Sequence, residues 1–292
     1  MSGQSIERAF ARCRDEGRAA LITYLAAGDP NLETTVALAG AVADGGADIL
    51  ELGIPFSDPL ADGPIIQAAY TRALENGASV RGVLDILPPI VEMTGLPVVL
   101  MTAYNPVLAY GVEMFCQDAA GAGASGLLVP DLLPEDSASL RETAHQAGLD
   151  TIFLAAPDIT EERLSEAATH STGFLYLISR RGVTGIHNGP GESLELEVAR
   201  ASQYTDTPIA VGFGVSTTQE AGRVAAEADG VIVGSALVRT AADILSSSRN
   251  SAKQDMAKEA IDSAAESVRH LTSELMEGIR AAGSGDRTKP IR

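Results

Sequence analysis

The sequence predicts an α/β fold: a closed (β/α)8 TIM barrel with an extra N-terminal helix and a long C-terminal helix. Three observations predict it. Short, strand-sized apolar runs recur eight times, segments with helical periodicity lie between them, and the 292-residue chain is 45% hydrophobic, ample for one large core. Strands that are apolar nearly throughout and alternate with helices imply a parallel sheet covered by helices. Eight such units favour ring closure over an open doubly wound sheet.

The strands are expected, in order, at 19–27 (AALITYLAA), 47–54 (ADILELGI), 96–105 (LPVVLMTAYN), 125–132 (SGLLVPDL), 150–157 (DTIFLAAP), 173–180 (GFLYLISR), 207–215 (TPIAVGFGV) and 229–237 (DGVIVGSAL). Helical periodicity occupies 32–46, 134–148 and 160–170. Asn31 or Asp29 is placed to cap the first of these and Gly45–Gly46 to end it, while Ser216 and Thr217 precede the helix TTQEAGRVAAEA. A leading helix at 5–17 is expected to plug the bottom of the barrel. At the other end, 253–283 repeats Ile261, Ala265, Val268, Leu271, Leu275 and Ile279, one apolar face for packing onto the barrel. We expect one barrel domain over 1–292, ordered from 5 to 283, with 284–292 a flexible tail.

Composition narrows the partners. With 21 basic against 39 acidic residues the net charge is −18, which repels phosphate backbones, so no nucleic acid is expected. The chain has no run of ~18 uncharged apolar residues, so no membrane span is expected. Charges are spread through MSGQSIERAFARCRDEGRAAL without an apolar h-region, which is unlike a signal peptide; a cytoplasmic location follows. Cys13 and Cys116, far apart in helix-like contexts, read as idle thiols rather than a disulfide or zinc site. Only three basic residues are lysines (Lys253, Lys258, Lys289). Such a composition suits a surface hydrated in concentrated salt, and biased codon usage produces the same pattern.

In a barrel of this kind, chemistry sits at the C-terminal strand ends and the loops after them. In the second strand, alternation puts Ile49, Glu51 and Gly53 on one face and Leu50 and Leu52 on the other. Glu51 therefore points into the barrel near its mouth. Burying an unpaired carboxylate costs several kcal/mol or raises its pKa, which suits proton exchange near neutrality. Pairing with a core arginine is the alternative. Asp62, in the following loop DPLADGPIIQ, reads either as a partner acid or as an ordinary turn or helix cap. The turn reading is stronger for Asp58, in SDP.

Strands seven and eight end in VGFGV (211–215) and VIVGSAL (231–237), Gly-rich turns that each lead into a helix. Such turns form the usual phosphate site of these barrels, with N–H groups near Gly214, Gly234 and Ser235 aimed at one anion. YLISRRGVTGIHNGPGES (176–193) reads as a lid or as a plain solvated loop. A Schiff base needs a barrel lysine, but all three lysines lie in the last 40 residues; the four histidines lack metal spacing. Carboxylate acid–base chemistry on a small phosphorylated substrate survives, with no metal and no lysine adduct.

ELGIPFSDPLADGPIIQ, YLISRRGVTG, VGFGVST and GSAL, in that order, closely resemble the α-subunit family of tryptophan synthase, over about residues 5–280. The resemblance implies retro-aldol cleavage of indole-3-glycerol phosphate to indole and glyceraldehyde 3-phosphate. It implies Glu51 and Asp62 as the catalytic acids, with Tyr176 near the glutamate. It also implies phosphate contacts from Gly185, Phe213, Gly214, Gly234 and Ser235, with Thr184 closing the lid over Asp62. Tyr24 and Ile66 would line the indole pocket, Tyr24 standing where the family often has phenylalanine. No cofactor is implied in this chain; pyridoxal phosphate is expected in a β-subunit partner, within an α2β2 complex that meets the SDPLADGP loop and the turn at Asn105–Pro106. GIHNGPG departs from the family's lid. Two other functions remain open: a stand-alone lyase releasing free indole, and a non-catalytic phosphate-binding barrel that activates a partner.

Overall fold

A computed structural model describes residues 5–59, 62–157, 159–178, 194–212, 214–248 and 254–283. The elements run α1 (Ile6–Asp15), β1 (Ala20–Ala26), α2 (Leu32–Asp44), β2 (Ile49–Gly53), α3 (Pro64–Glu75), α4 (Val80–Thr94), β3 (Val98–Met101), α5 (Tyr104–Tyr110), α6 (Val112–Ala122) and β4 (Gly126–Leu128). After a single 3-10 turn at Pro134–Asp136 follow α7 (Ala138–Gln146), β5 (Asp150–Ile152), β6 (Leu154–Ala155), α8 (Glu161–His170), β7 (Leu175–Ile178) and α9 (Leu194–Ala201). Then come β8 (Ile209–Gly212), α10 (Thr218–Glu227), β9 (Gly230–Val233), α11 (Ser235–Ser248) and α12 (Gln254–Gly283). No described helix is long and apolar enough to cross a membrane.

Local signals set several boundaries. Asn31, rather than Asp29, caps α2, its side chain accepting from the Thr34 N–H at 2.8 Å. Thr217 opens α10 with a reciprocal capping box completed by Glu220.

All the strands pair in parallel, in the order β5-β4-β3-β2-β1-β9-β8-β7-β6. The run expected as one fifth strand is split at Phe153. Its first half pairs with β4 and its second with β7. The Phe153 N–H turns to the Ser171 hydroxyl at 3.1 Å while its carbonyl accepts from the Tyr176 N–H at 3.0 Å. The ring thus closes through a single residue that changes neighbours.

The alternation expected in β2 holds. Ile49 joins an inner cluster with Ile22, Val99, Leu128, Phe174 and Ile232, while Leu50 and Leu52 pack outward under the helices. Ile6, Ala9, Phe10 and Cys13 of α1 belong to that inner cluster, so α1 does seal the barrel's N-terminal end. Beside this seal Asp48 is held by Arg18 at 2.6 and 2.9 Å, by Arg12 at 2.9 Å, and by the Leu21 N–H.

The long tail helix docks against α2, α10 and α11. Its fully buried face is Ala264, Val268, Thr272, Leu275, Met276 and Ile279, whereas Ile261, Ala265 and Leu271 are half-buried. Close backbone approach turns the helix this way. A Cβ on Gly45 would lie 2.5 Å from that of Thr272, and one on Gly278 would lie 2.1 Å from the Thr218 carbonyl oxygen.

Candidate active site

Above the plugged layer the inward positions turn polar. In register, Tyr24 of β1 lies beside Glu51 of β2. Glu51 is 1% exposed, and its Oε1 has no hydrogen-bond partner. The core ion pair that was the alternative reading belongs instead to Asp48, three residues earlier. Burial, reinforced by the charge of Asp62, pushes the Glu51 carboxyl up to about 8.

Asp62 is half-buried at the mouth, and burial pushes its carboxyl up to about 6. The cap of α3 is Gly63, with Pro64 next and no side-chain cap bond. Asp62 meets the Gln67 side chain through its backbone carbonyl, at 2.8 Å, so its carboxylate is not spent on capping. Asp58 is different: exposed, it accepts from the neighbouring Ser57 hydroxyl at 2.6 Å and shapes the loop. At the barrel's mouth the two carboxyls are close enough for the charge of Asp62 to act on Glu51, and separated proton affinities of this kind let one donate a proton while the other stays ionised.

Tyrosines wall this space. Tyr176 of β7 lies across β8, since a Cβ on Gly212 would come within 2.4 Å of its hydroxyl oxygen. Burial first, then the charges of Glu51 and Asp62, raise its phenol above the ordinary value. Tyr24 and Ile66, both expected to line a ring-binding pocket, share one buried cluster with Ala26, Ala69, Tyr70 and Val238. A narrow cavity at the mouth is lined by Asp62, Tyr70, Met101, Thr102 and Asp131.

Two helix starts adjoin the strands expected to bind an anion. At α10 the position is taken: the Glu220 carboxylate accepts from the Ser216 N–H at 2.8 Å and the Thr217 N–H at 3.1 Å. A second anion there would be repelled. At α11 Gly234 and exposed Ser235 open the helix directly after β9, and Gly234 approaches the Tyr24 ring, a Cβ there lying 3.2 Å from that of Tyr24. Gly214 takes a left-handed φ of 80°, which favours glycine. Thr184, Gly185 and Phe213 lie outside the described residues. Among the described residues no group of three His, Cys, Asp or Glu side chains is placed to hold a metal ion.

The sequence reading missed Tyr70, Gly53 and Gly212. Tyr70 follows Ile66 by four residues and so shares its face of α3, a spacing that was available as a signal. The two glycines matter for what they leave out, which shows only once their neighbours are in place.

Comparison with known proteins places the chain in a family. Residues 10–269 match the family model described as Tryptophan synthase alpha chain. A tryptophan synthase alpha chain from Geobacter sulfurreducens is 45% identical over 230 residues, 79% of this chain and 87% of that one. One from Streptomyces avermitilis is 42% identical over 280 residues, 95% of each chain. Among solved structures, tryptophan synthase from M. tuberculosis aligns with a TM-score of 0.80 at 37% identity, covering 95% of this chain and 99% of that one. The alpha subunit from Legionella pneumophila aligns at 0.77 and 33% identity, covering 93% and 99%. By sequence and by barrel, this chain belongs to the tryptophan synthase alpha chain family.

Proposed function

We propose that the chain is a carbon–carbon lyase that cleaves indole-3-glycerol phosphate to indole and glyceraldehyde 3-phosphate in tryptophan synthesis. The observation that carries this reading is the buried Glu51 carboxyl, its Oε1 without a partner, within reach of the charge of the half-buried Asp62. Near neutrality Asp62 is ionised and Glu51 holds its proton. Asp62 accepts the ring N–H and stabilises the positive charge that develops as the ring tautomerises. Glu51 gives its proton to the ring carbon bearing the side chain, then takes the proton of the adjacent glycerol hydroxyl. As that O–H ionises the C–C bond breaks, its electron pair returning to the ring and leaving an aldehyde. Both proton transfers run through one carboxyl, so the step requires no metal and no lysine adduct.

Tyr176 stands beside Glu51 and keeps water from it, while Tyr24 and Ile66 hold the ring. The phosphate sits on the start of α11, on the N–H groups of Gly234 and Ser235 with Gly214 opposite; Gly185 and Phe213 complete that site, and Thr184 closes over Asp62. A β subunit carrying pyridoxal phosphate receives the indole, in an α2β2 assembly. This chain binds no cofactor of its own and works in the cytoplasm.

A cleavage assay on indole-3-glycerol phosphate, with and without a β subunit, tests the reading. Wild type should turn over slowly alone and much faster with the partner, and Glu51→Gln should lose at least ~10²-fold, the scale of a general acid–base group. Full activity alone identifies a stand-alone lyase. Turnover by Glu51→Gln above about a hundredth of wild type removes Glu51 from the chemistry.

A further inference from the structure

Tyr24 and Tyr70 meet at the mouth of the barrel in a way the family resemblance does not account for. The Tyr24 hydroxyl donates to the Tyr70 oxygen at 2.8 Å, and the residues are 5% and 3% exposed. Their meeting point lies directly over Gly53, where a Cβ would stand 2.2 Å from the Tyr24 oxygen and 2.5 Å from the Tyr70 oxygen. Gly53 follows Glu51 by two residues and shares its face of β2. The hydroxyl pair is therefore one step above Glu51, between it and the loop that carries Asp62.

Proton accounting gives the pair a direction. Tyr24 spends its proton on Tyr70, so Tyr70 keeps its own, and a buried hydroxyl calls for an acceptor. Tyr70 and Asp62 line the same cavity. After burial, the charge of Asp62 is the largest influence raising the Tyr70 phenol, with Glu51 a weaker one. Among the carboxylates, Asp62 is the one whose charge acts most strongly on Tyr70.

We propose that Tyr70 is a positioning residue: in the substrate complex its hydroxyl, itself held by Tyr24, donates to one oxygen of Asp62 and leaves the other to accept the ring N–H. This rests on the lyase reading above. A tyrosine at position 24 and a tyrosine at position 70 then act as one unit. Tyr24 brings a second hydroxyl into an apolar wall, and Tyr70 both satisfies it and passes the polarity on to the acid that needs it.

The test is the pH profile of kcat for wild type, Tyr70→Phe, Tyr24→Phe and the double variant, each first checked for folding by circular dichroism. A hydrogen bond to the ionised form lowers a carboxyl's pKa, and one such bond is worth roughly one unit. In Tyr70→Phe the acid limb should therefore move up by about one unit, making turnover roughly ten-fold lower below the limb, while the basic limb stays in place and KM changes little. Tyr24→Phe should alter KM but leave the acid limb where it is. The double variant, which leaves no unpaired hydroxyl, should reproduce the shift of Tyr70→Phe. An unmoved acid limb in Tyr70→Phe and the double variant overturns the proposal, as does an equal shift in Tyr24→Phe. A folded wild type that does not cleave the substrate overturns the lyase reading and this inference together.

Discussion

Replacing Glu51 by glutamine should remove activity and yet make the fold more stable. The folded carboxyl sits at about 8, against an ordinary value of 4.5. Between those values the native state holds a proton that the unfolded chain has lost, so stability falls as pH rises, by ~1.4 kcal/mol per unit. The penalty is absent below the unfolded value, reaches about 3 kcal/mol at pH 7 and levels off near ~5 kcal/mol above the folded value. Glutamine carries no such proton. Its amide, placed where Oε1 has no partner, gives back about 1 kcal/mol at every pH. For a chain of this size each kcal/mol moves the midpoint by about 2–4 °C, so the variant should melt roughly 5 °C above wild type at neutral pH. Below pH 5 that advantage should vanish. Calorimetric melts of both proteins from pH 4.5 to 9 read the difference, in which every other titrating group cancels. If the two stability curves run parallel, Glu51 does not carry the raised proton affinity on which the acid–base assignment depends.

Four further outcomes can be checked. The profile of kcat/KM should be bell-shaped with apparent limbs near 6 and 8, the first from ionisation of Asp62 and the second from loss of the Glu51 proton, both belonging to the coupled pair; a profile without the alkaline limb contradicts the assignment. Arg18→Ala should cost ~3 kcal/mol in denaturant melts while kcat holds, because buried Asp48 loses its two-point partner at the sealed end and keeps only the more exposed Arg12 and the Leu21 N–H. Burial alone would raise the Asp48 carboxyl, but bonds to Arg18 and its charge outweigh this and lower it, so the pair's contribution is complete above the unfolded value and fades as pH drops through the folded one. Gly53→Ala should displace the tyrosine pair and raise KM at least several-fold, with ~1–3 kcal/mol of overpacking seen in melts. Gly278→Ala, which drives a methyl against the Thr218 carbonyl, should lower stability by a similar ~1–3 kcal/mol without changing kcat.

How much was legible in the sequence depended on whether a feature is periodic. The strands and the inward aim of Glu51 follow from a period of two, and the caps at Asn31 and Thr217 from short local chemistry. Asp62 was ambiguous because one loop offers two ways to start α3, and only the folded chain chooses Gly63 as the cap. The break at Phe153 was invisible, since DTIFLAAP is continuous in apolarity and the change of partner is a property of the closed ring. On α12 the expected apolar face does pack on the core, with Val268, Leu275 and Ile279 buried and Ala265 and Leu271 half-buried against it. What the repeat did not show is that polar Thr272, close against Gly45, joins that face. Tyr70 stayed hidden because what a helix side chain reaches depends on where the helix docks.

The seal formed by α1 has a consequence for traffic. With Ile6, Ala9, Phe10 and Cys13 wedged among the inner strand residues, the barrel is a blind-ended cup and not a conduit. Whatever enters must leave over the same rim, past the loop bearing Asp62 and the tyrosines beside it. Arrival and departure therefore compete for one opening. A protein seated on that rim would need no channel through the barrel to govern both, because the single doorway would already be in its hands.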